Sequence, residues 1–589
     1  MPFNLFLSAR AGCREQASGA GGGARAIGRR VLRLLGPTWL ASPVRRASQA
    51  VCLLLFLALF LYVCWPYGAR HHAEAMRAKE VVDAEAFLAL DPLVSLSTAL
   101  AARAWVWSLA WAAALLIVCL FIPRGFCGYA CPFGTLIDLF DWVIGKRVKR
   151  LGLGRRGWWA HLKYYVLAGT LVASACGVLL SGFVAAIPVV TRGLLFTLGP
   201  LQMGLLKAWY LVPPWNAGHY LSVALFALVF GLCLFAPRFW CRYACPTGAL
   251  LSAANALRLT ERKVKPTCIG CGKCAAACPF DAIRPDFSTR AADCTFCQTC
   301  GGVCPVGAIE FAARWAPSER EAEPTPAEAP LSRRGFVAGA LGAGAVAIGV
   351  RWHSGGPPLK PLPIRPPGSV PEREFLRLCI RCGACFKACP FNVIQPTGLE
   401  RGLDELWAPR VVADWSGCEP KCNNCGQVCP TGAIRALPLR EKRAARIGLA
   451  VVDTQACLPY AGREACRLCF DECAAAGYNA IEFLRVGVET DESGRPVEES
   501  GFSAPVVLAD KCNGCGLCQT RCYHINARGK HLLARSAIIV VAGPGNEDRL
   551  MAGSYLALRA QEQRKRESER KKLQGKEKAA DSYLPDFLK

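Results

Sequence analysis

Acidic residues are scarce in this chain of 589 residues: 44 Asp and Glu stand against 70 Lys and Arg, a formal net charge of +26. A surplus of that size suits a nucleic-acid binder. Much of it flanks apolar stretches instead of forming a basic face, so no nucleic-acid partner is expected. The Cys-x-x-Cys-His pattern of covalently held haem is absent. No acid–base or nucleophilic constellation stands out either, which argues against independent turnover at a hydrolase-like site.

Cysteine, by contrast, is abundant: 34 residues in a chain long enough for three or four domains. Disulfide frameworks have no fixed local rhythm, whereas metal sites do. After a long apolar first half comes Cys268, Cys271, Cys274, Cys278-Pro, then Cys294, Cys297, Cys300, Cys304-Pro. This doubled C-x2-C-x2-C-x3-C-P run is the bacterial two-cluster ferredoxin pattern, in which one tight loop points three thiolates at a [4Fe–4S] cubane and the other repeat supplies the fourth. The expected ligand sets are Cys268, Cys271, Cys274 with Cys304, and Cys294, Cys297, Cys300 with Cys278.

The rhythm returns four times further on. The quartets are Cys379, Cys382, Cys385, Cys389; Cys418, Cys422, Cys425, Cys429; Cys457, Cys466, Cys469, Cys473; and Cys512, Cys515, Cys518, Cys522. Six [4Fe–4S] clusters are therefore expected, and their negative charge offsets part of the formal surplus. How the four later quartets share their closing cysteines is left open. Segments such as "AIRPDF", "AIEFAA" and "AIEFLRV" read as short strands packed over the clusters.

Ser48–Trp65, Ala104–Ile122, Tyr164–Ile187 and Tyr220–Ala236 are long and apolar enough to span a bilayer or nearly so. The piece Gly193–Leu206, broken by Gly199-Pro200, reads as interfacial or re-entrant. Lys and Arg number eight over residues 1–49, four over 66–103, eight over 123–163, two over 188–217 and six over 238–265. That alternation puts both ends of a four-span domain in the cytoplasm of a bacterial inner membrane.

"LSRRGFVAGALGAGAVAIGV" (Leu331–Val350) has the form of a twin-arginine export signal. It lies between acidic/Pro and Pro-rich linkers. One further crossing there would leave the two-cluster block inside and the four-cluster block in the periplasm, exported already folded by the twin-arginine translocase. The expected fold class is an α-helical membrane domain, four spans plus a fifth twin-arginine-type span, with two α+β ferredoxin-like multi-cluster domains. Its divisions are a basic cytoplasmic N-terminus (1–47), the membrane domain (48–250), the two-cluster ferredoxin (262–312), a linker (313–330), the signal or anchor (331–351), a Pro-rich linker (352–371), the four-cluster ferredoxin (372–545) and a charged tail (546–589).

"FCGYACPFG" (Cys127, Cys131) and "WCRYACPTG" (Cys241, Cys245) each read C-x3-C-P, at the ends of the second and fourth spans. Thiols at i and i+4 share a helix face, so the four could meet around one centre or form two dithiol switches. They could also simply pack as small apolar residues. His71, His72, His161 and His219 sit near span ends, where a quinone headgroup would find a proton acceptor.

The paired C-x3-C-P motifs followed by two [4Fe–4S] motifs (residues 48–312) resemble the NapH-type membrane ferredoxins, related to NosR-type polyferredoxins. From the twin arginines onward (331–545) the chain resembles the NapG/MauM-type periplasmic ferredoxins, departing from the usual pattern by joining both parts in one polypeptide. The resemblance implies a quinol-oxidising electron relay. Its partners would be the lipid bilayer, the quinol pool and a periplasmic reductase of nitrate-reductase type or a c-type cytochrome, with quinone as a possible cofactor. The competing expectation is a maturation factor that reduces a metal or thiol centre of a client respiratory enzyme.

Overall fold

The computed structural model describes residues 41–63, 86–145, 147–150, 158–206, 208–316, 333–354, 362–489, 497 and 500–582. Nearly all of the expected N-terminal region, most of the 313–330 linker, part of the Pro-rich linker, and His71 and His72 lie outside the described residues.

A helical body is built from α1 (Pro43–Val63), α2 (Pro92–Ala102), α3 (Ser108–Phe121), α4 (Pro132–Phe140), α5 (Leu162–Ala175), α6 (Ala186–Leu206), α7 (Ala217–Leu232) and α8 (Pro246–Ala254). Local chemistry starts these helices. Asp91 Oδ1 accepts the Leu93 and Val94 N–H groups at 3.1 and 3.4 Å ahead of Pro92, a cap that contributes about 1 kcal/mol. Cys131-Pro132 and Cys245-Pro246 start α4 and α8 in the same way: proline takes the first turn, and the cysteine Sγ accepts the N–H of Gly134 or Gly248 at 3.4 and 3.3 Å.

Among the described residues, two helices have the length and composition to cross a membrane, Pro43–Leu61 and Ala186–Leu206, while α2, α3 and α7 are shorter apolar helices. The expected span Tyr164–Ile187 is not one helix. α5 stops at Cys176-Gly177, where Gly177 takes a φ of +83°, and the chain restarts through Ser181–Val184. The piece expected to be short, Gly193–Leu206, is instead the larger part of α6, which keeps Pro200 inside the helix. Both flanks of α6 touch the four-cluster block. A Cβ on Gly182 would collide with the Ile380 carbonyl, and Asn392 Nδ2 donates to Leu211 O at 2.8 Å.

The two cysteine-rich blocks cap opposite ends of this body. At one end, Tyr129 Oη donates to Phe296 O (2.7 Å) and Lys163 Nζ to Asp293 (2.7 Å). At the other, Arg381 Nη1 donates to Leu179 O (2.8 Å) and Trp407 Nε1 to Gly218 O (2.7 Å). Lys163 begins α5 and Leu179 follows its end, so α5 joins the two ends. Beneath the first end Asp138 receives Arg45, Arg46 and Arg238 at 3.0, 2.8 and 2.5 Å.

The blocks themselves are two-stranded sheets with loops. β1 (Thr260–Val264) pairs antiparallel with β2 (Ile309–Ala313), β3 (Ile394–Pro396) with β4 (Pro409–Val411), β5 (Leu449–Val452) with β8 (Ile538–Val541), and β6 (Ile481–Val486) with β7 (Phe502–Val507). "AIEFAA" and "AIEFLRV" form strands; "AIRPDF" does not. Only Ile283 bridges Thr289 there, because Pro285 lacks a donor and Phe287 turns at a φ of +65°.

The twin-arginine segment is a helix, α9 (Arg333–Ser354), lying along α5 in the same direction. Gly339 approaches Tyr165 and Gly344 approaches Val172, each with room for a Cβ at 3.4 Å and little more. Small residues permit such close helix packing. The charged tail continues as α10 (Tyr555–Ser582), rooted by buried Tyr555, whose N–H donates to Glu441 at 2.6 Å.

Candidate electron-transfer sites

In four of the six cysteine loops one residue with positive φ brings successive thiols to one side. Gly272, Gly383 and Gly516 do this at φ +72°, +85° and +81°, and Gln298 takes that conformation at +60°. Asn423 and Arg467 hold the corresponding place in the other two at a φ of −133° and −127°. The closing cysteine is held by backbone donors: Ala282 N–H to Cys278 Sγ (3.3 Å), Ala308 to Cys304 (3.3 Å), Ile434 to Cys429 (3.4 Å) and Ala480 to Cys473 (3.2 Å).

Three of these closing residues, Cys278, Cys429 and Cys473, change partners. Cys278 lines one cavity with Cys294, Cys297 and Cys300. Cys429 lines another with Cys379, Cys382 and Cys385, and Cys473 a third with Cys512, Cys515 and Cys518. Cys389 lies by Cys418, Cys422 and Cys425, and Cys522 by Cys457 and Cys469. Asn526 Nδ2 reaches both Cys466 and Cys522 at 3.6 and 3.8 Å. Exchange of the closing cysteine thus extends to the four later quartets, where spacing left it open. Among the described residues there is no disulfide, and no three thiol, imidazole or carboxylate groups close on a single ion.

The surroundings fit an anionic [4Fe–4S] group. Buried Arg262 has Nη2 3.9 Å from Cys274 Sγ and otherwise bonds Phe287 O and Thr289. Arg192 is buried against carbonyls of Gly182 and Arg381 (both 2.9 Å) and lies near Cys382, with no carboxylate at hydrogen-bond distance among the described residues. A buried cation without a counter-ion costs several kcal/mol. Clusters ringed by four thiolates would supply the missing negative charge. Lys442 follows the same logic: burial works to lower its pKa, but the Cys418, Cys422 and Cys425 thiols outweigh it and the net direction is up.

Burial pushes the Cys294, Cys422, Cys469 and Cys515 thiols up to about 12. Without iron these thiols stay protonated, so loading a cluster expels protons. Cys297 runs the other way. Burial raises it, but Arg45 and the Thr299 hydroxyl bring it below the ordinary thiol value.

The quartets form a series. Cys418 N–H donates to Cys515 O at 2.7 Å, joining the second later motif to the fourth. Cys469 in turn lies near Cys518. The first later quartet faces α6, the others lead away from the helical body.

The four C-x3-C-P cysteines also come together. Cys241, Cys127 and Cys131 lie close around Cys245. Two arginines that sequence reasoning missed frame them: Arg124 Nη2 donates to Cys241 O (3.4 Å), and Arg238 Nη1 to Cys127 O (3.3 Å). Each arginine crosses to the other repeat, and each takes a positive φ, +48° and +51°. The signal was readable as an extended repeat, R-x2-C-x3-C-P-x-G, ending at Gly134 and Gly248. Those glycines lie against the arginines, and a Cβ on Gly248 would stand 3.1 Å from Arg124 Nη2.

Of the histidines, His219 is buried at the start of α7, against the four-cluster end. His161 lies at the opposite end, before α5.

Swapped cysteine quartets in series, lined with buried cations, define an iron–sulfur electron-transfer protein. A family model for a 4Fe-4S binding domain matches residues 104–150 and 219–265, the two stretches holding the C-x3-C-P repeats, and one for a 4Fe-4S dicluster domain matches 267–308 and 378–433. The ferredoxin-type protein NapG of Escherichia coli is 34% identical over 189 residues, 32% of this chain and 76% of that protein. The methylamine utilization ferredoxin-type protein MauM of Methylorubrum extorquens is 37% identical over 164 residues, 27% of this chain and 67% of its own. NapF of Escherichia coli is 35% identical over 159 residues, 27% and 79% of the two chains. The chain belongs to the NapG/MauM family of ferredoxin-type proteins. No solved structure matches it.

Proposed function

We propose that the chain is a membrane-embedded relay that oxidises quinol and delivers electrons through the four-cluster block to a periplasmic reductase or c-type cytochrome, with the N-terminal half a fused NapH-type partner. The observation that carries this reading is the capping of one apolar helical body by cysteine-rich blocks at its two ends. α9 returns the chain from the first end to the second, as an internal export signal or anchor would.

Exposed aromatic residues support embedding. Trp105, Trp107, Trp209, Tyr210, Trp215 and Tyr220 are solvent-facing at the four-cluster end, above exposed Leu198, Leu201, Leu205 and Leu228. Such a belt marks the membrane–water interface. With α6 beginning and ending at the four-cluster block, the remaining crossings are α1, the α2–α3 region, α5 and α7, and both C-x3-C-P motifs share a face.

The proposed ligands are Cys268, Cys271, Cys274 and Cys304; Cys294, Cys297, Cys300 and Cys278; Cys379, Cys382, Cys385 and Cys429; Cys418, Cys422, Cys425 and Cys389; Cys512, Cys515, Cys518 and Cys473; and Cys457, Cys466, Cys469 and Cys522. The clusters supply one-electron chemistry when bound. The chain's residues space them, keep water out and offset their charge. Cys127, Cys131, Cys241 and Cys245, gathered beside the two-cluster block, are the candidate redox thiols, as two dithiol switches or around one centre.

The test uses the full chain in quinone-free proteoliposomes with the four-cluster block outside. Decylubiquinol added to the vesicles should reduce the clusters, and a membrane-impermeant oxidant outside should then draw those electrons out through the four-cluster block. Clusters that dithionite reduces but the quinol does not would overturn the quinol-oxidising relay.

A further inference from the structure

We infer that the cavity between α6, the start of α7 and the first later cysteine motif is the quinol headgroup site; this rests on the quinol-oxidising reading above. Phe196 and Pro200 of α6, Trp215 and His219, and Lys387 and Asn392 of the motif are among its lining. It combines what a lipid-soluble redox carrier needs: aromatic walls, a few polar groups and an apolar approach. Phe196 packs its ring 4.5 Å from that of His219 and 6.3 Å from that of Phe386. The same helix α6 turns Leu198, Leu201 and Leu205 outward, so the approach to the cavity lies along an apolar surface.

The position of His219 is fixed from both sides. Asn216 Oδ1 caps α7 and stands 2.9 Å from His219 Nδ1, while Asn216 Nδ2 donates to Pro396 O at 2.7 Å. The Asn216 backbone N–H donates to Nδ1 at 3.2 Å, closing a capping box in which Nδ1 is the acceptor. Both contacts use the Nδ1 edge. Nε2, on the other edge, has no hydrogen-bond partner among the described residues. For Nε2 to accept a quinol hydroxyl, the ring takes the other tautomer, with Nδ1–H donating to Asn216 Oδ1 in exchange for the bond from the Asn216 backbone. Asn392 and Gln395 present carboxamides to the same space.

Phe386 and Lys387 sit between Cys385 and Cys389 in sequence. The cavity wall is therefore part of the loop that would ligate two [4Fe–4S] clusters. In the reaction, two O–H bonds of the quinol break and a quinone is left. Two electrons would leave singly to a [4Fe–4S] cluster held by Cys379, Cys382, Cys385 and Cys429, which would serve as the oxidant. The two protons leave by way of His219 Nε2 to water at the four-cluster end.

Two variants and one label test the assignment in the full chain in lipid nanodiscs. Gly199 lines the cavity, and its Cβ direction is free apart from Leu195 Cδ1 at 3.5 Å. Gly199→Leu should fill the space without removing a polar group, and His219→Gln should remove the proton acceptor while keeping a polar side chain. Expected for both is at least a tenfold slower reduction of the clusters by decylubiquinol, with dithionite reduction and EPR signals unchanged. An azidoquinone photolabel should map to segments 195–219 and 386–396 in the wild type and be lost in Gly199→Leu. Wild-type rates in both variants, or labelling elsewhere, would overturn the location and leave quinol oxidation standing. Failure of decylubiquinol to reduce the wild type would overturn both.

Discussion

The backbone N–H of Cys418 donates to the carbonyl oxygen of Cys515 at 2.7 Å. Ninety-odd residues of chain separate the two, yet this single bond seats the second later motif against the fourth and makes the quartets a series instead of two separate pairs. Disturbing the segment on either side of it should be felt at both sites. Gly417 packs directly on Leu517, so Gly417→Val should alter the EPR spectra of both quartets and slow electron passage between them, while the first quartet keeps its spectrum.

Exchange of closing cysteines makes a second, sharper prediction. Cys429→Ser should disturb the cluster of Cys379, Cys382 and Cys385, and Cys389→Ser that of Cys418, Cys422 and Cys425. Potentiometric EPR on the two variants distinguishes this from closure within each motif, which gives the opposite assignment.

Lys442 lies among Cys418, Cys422 and Cys425. A nearby positive charge favours the more negative, reduced state of a cluster. Lys442→Met should therefore lower the potential of that cluster by tens of millivolts, on the order of the 1 kcal/mol or more that a partly screened unit charge contributes at close range. A redox titration that leaves every potential in place would contradict this.

Asp138 holds three arginines, Arg45, Arg46 and Arg238. Asp138→Asn leaves them facing one another in a buried site. The expected loss is about 3 kcal/mol or more, read as a lower thermal midpoint in detergent and poorer retention of the two-cluster block.

Glu372 joins Arg365 to Arg549. Burial alone would raise its pKa, but the two arginines outweigh that and bring it to about 2 from the ordinary 4.5. A depressed folded-state value means the stabilisation is complete above the unfolded pKa and lost as pH falls from about 4.5 towards 2. Hydrogen exchange around residues 547–555 should rise over that window, and Glu372→Gln should show the raised exchange already at neutral pH.

The cysteine loops were legible because their rhythm is local: each motif is a single turn whose spacing is dictated by the group it holds. Exchange of closing cysteines was legible only for residues 268–304, where two intact repeats adjoin. In the later motifs the widened gaps hid which loops face one another. The break at Cys176-Gly177 was hidden by an apolar run that continues through it, so hydropathy alone joined α5 to the start of α6. The partners of Asp138 come from α1 and from the segment before α8, too distant in sequence for any pattern to reveal. Arg124 and Arg238, however, were there to be read, as one more residue in a repeat already noticed.

The packing of Gly339 and Gly344 against α5 bears on the order in which the molecule is made. If the twin arginines of α9 act as an export address, that helix is also a wall of the body it leaves behind. If the twin arginines send the C-terminal block outward, the N-terminal half waits on the membrane with an open side until a folded, iron-loaded passenger has crossed and drawn α9 into its slot. Completion of the membrane part would then certify that export succeeded, and a chain stalled at the translocase would remain visibly unfinished to the proteases of the membrane.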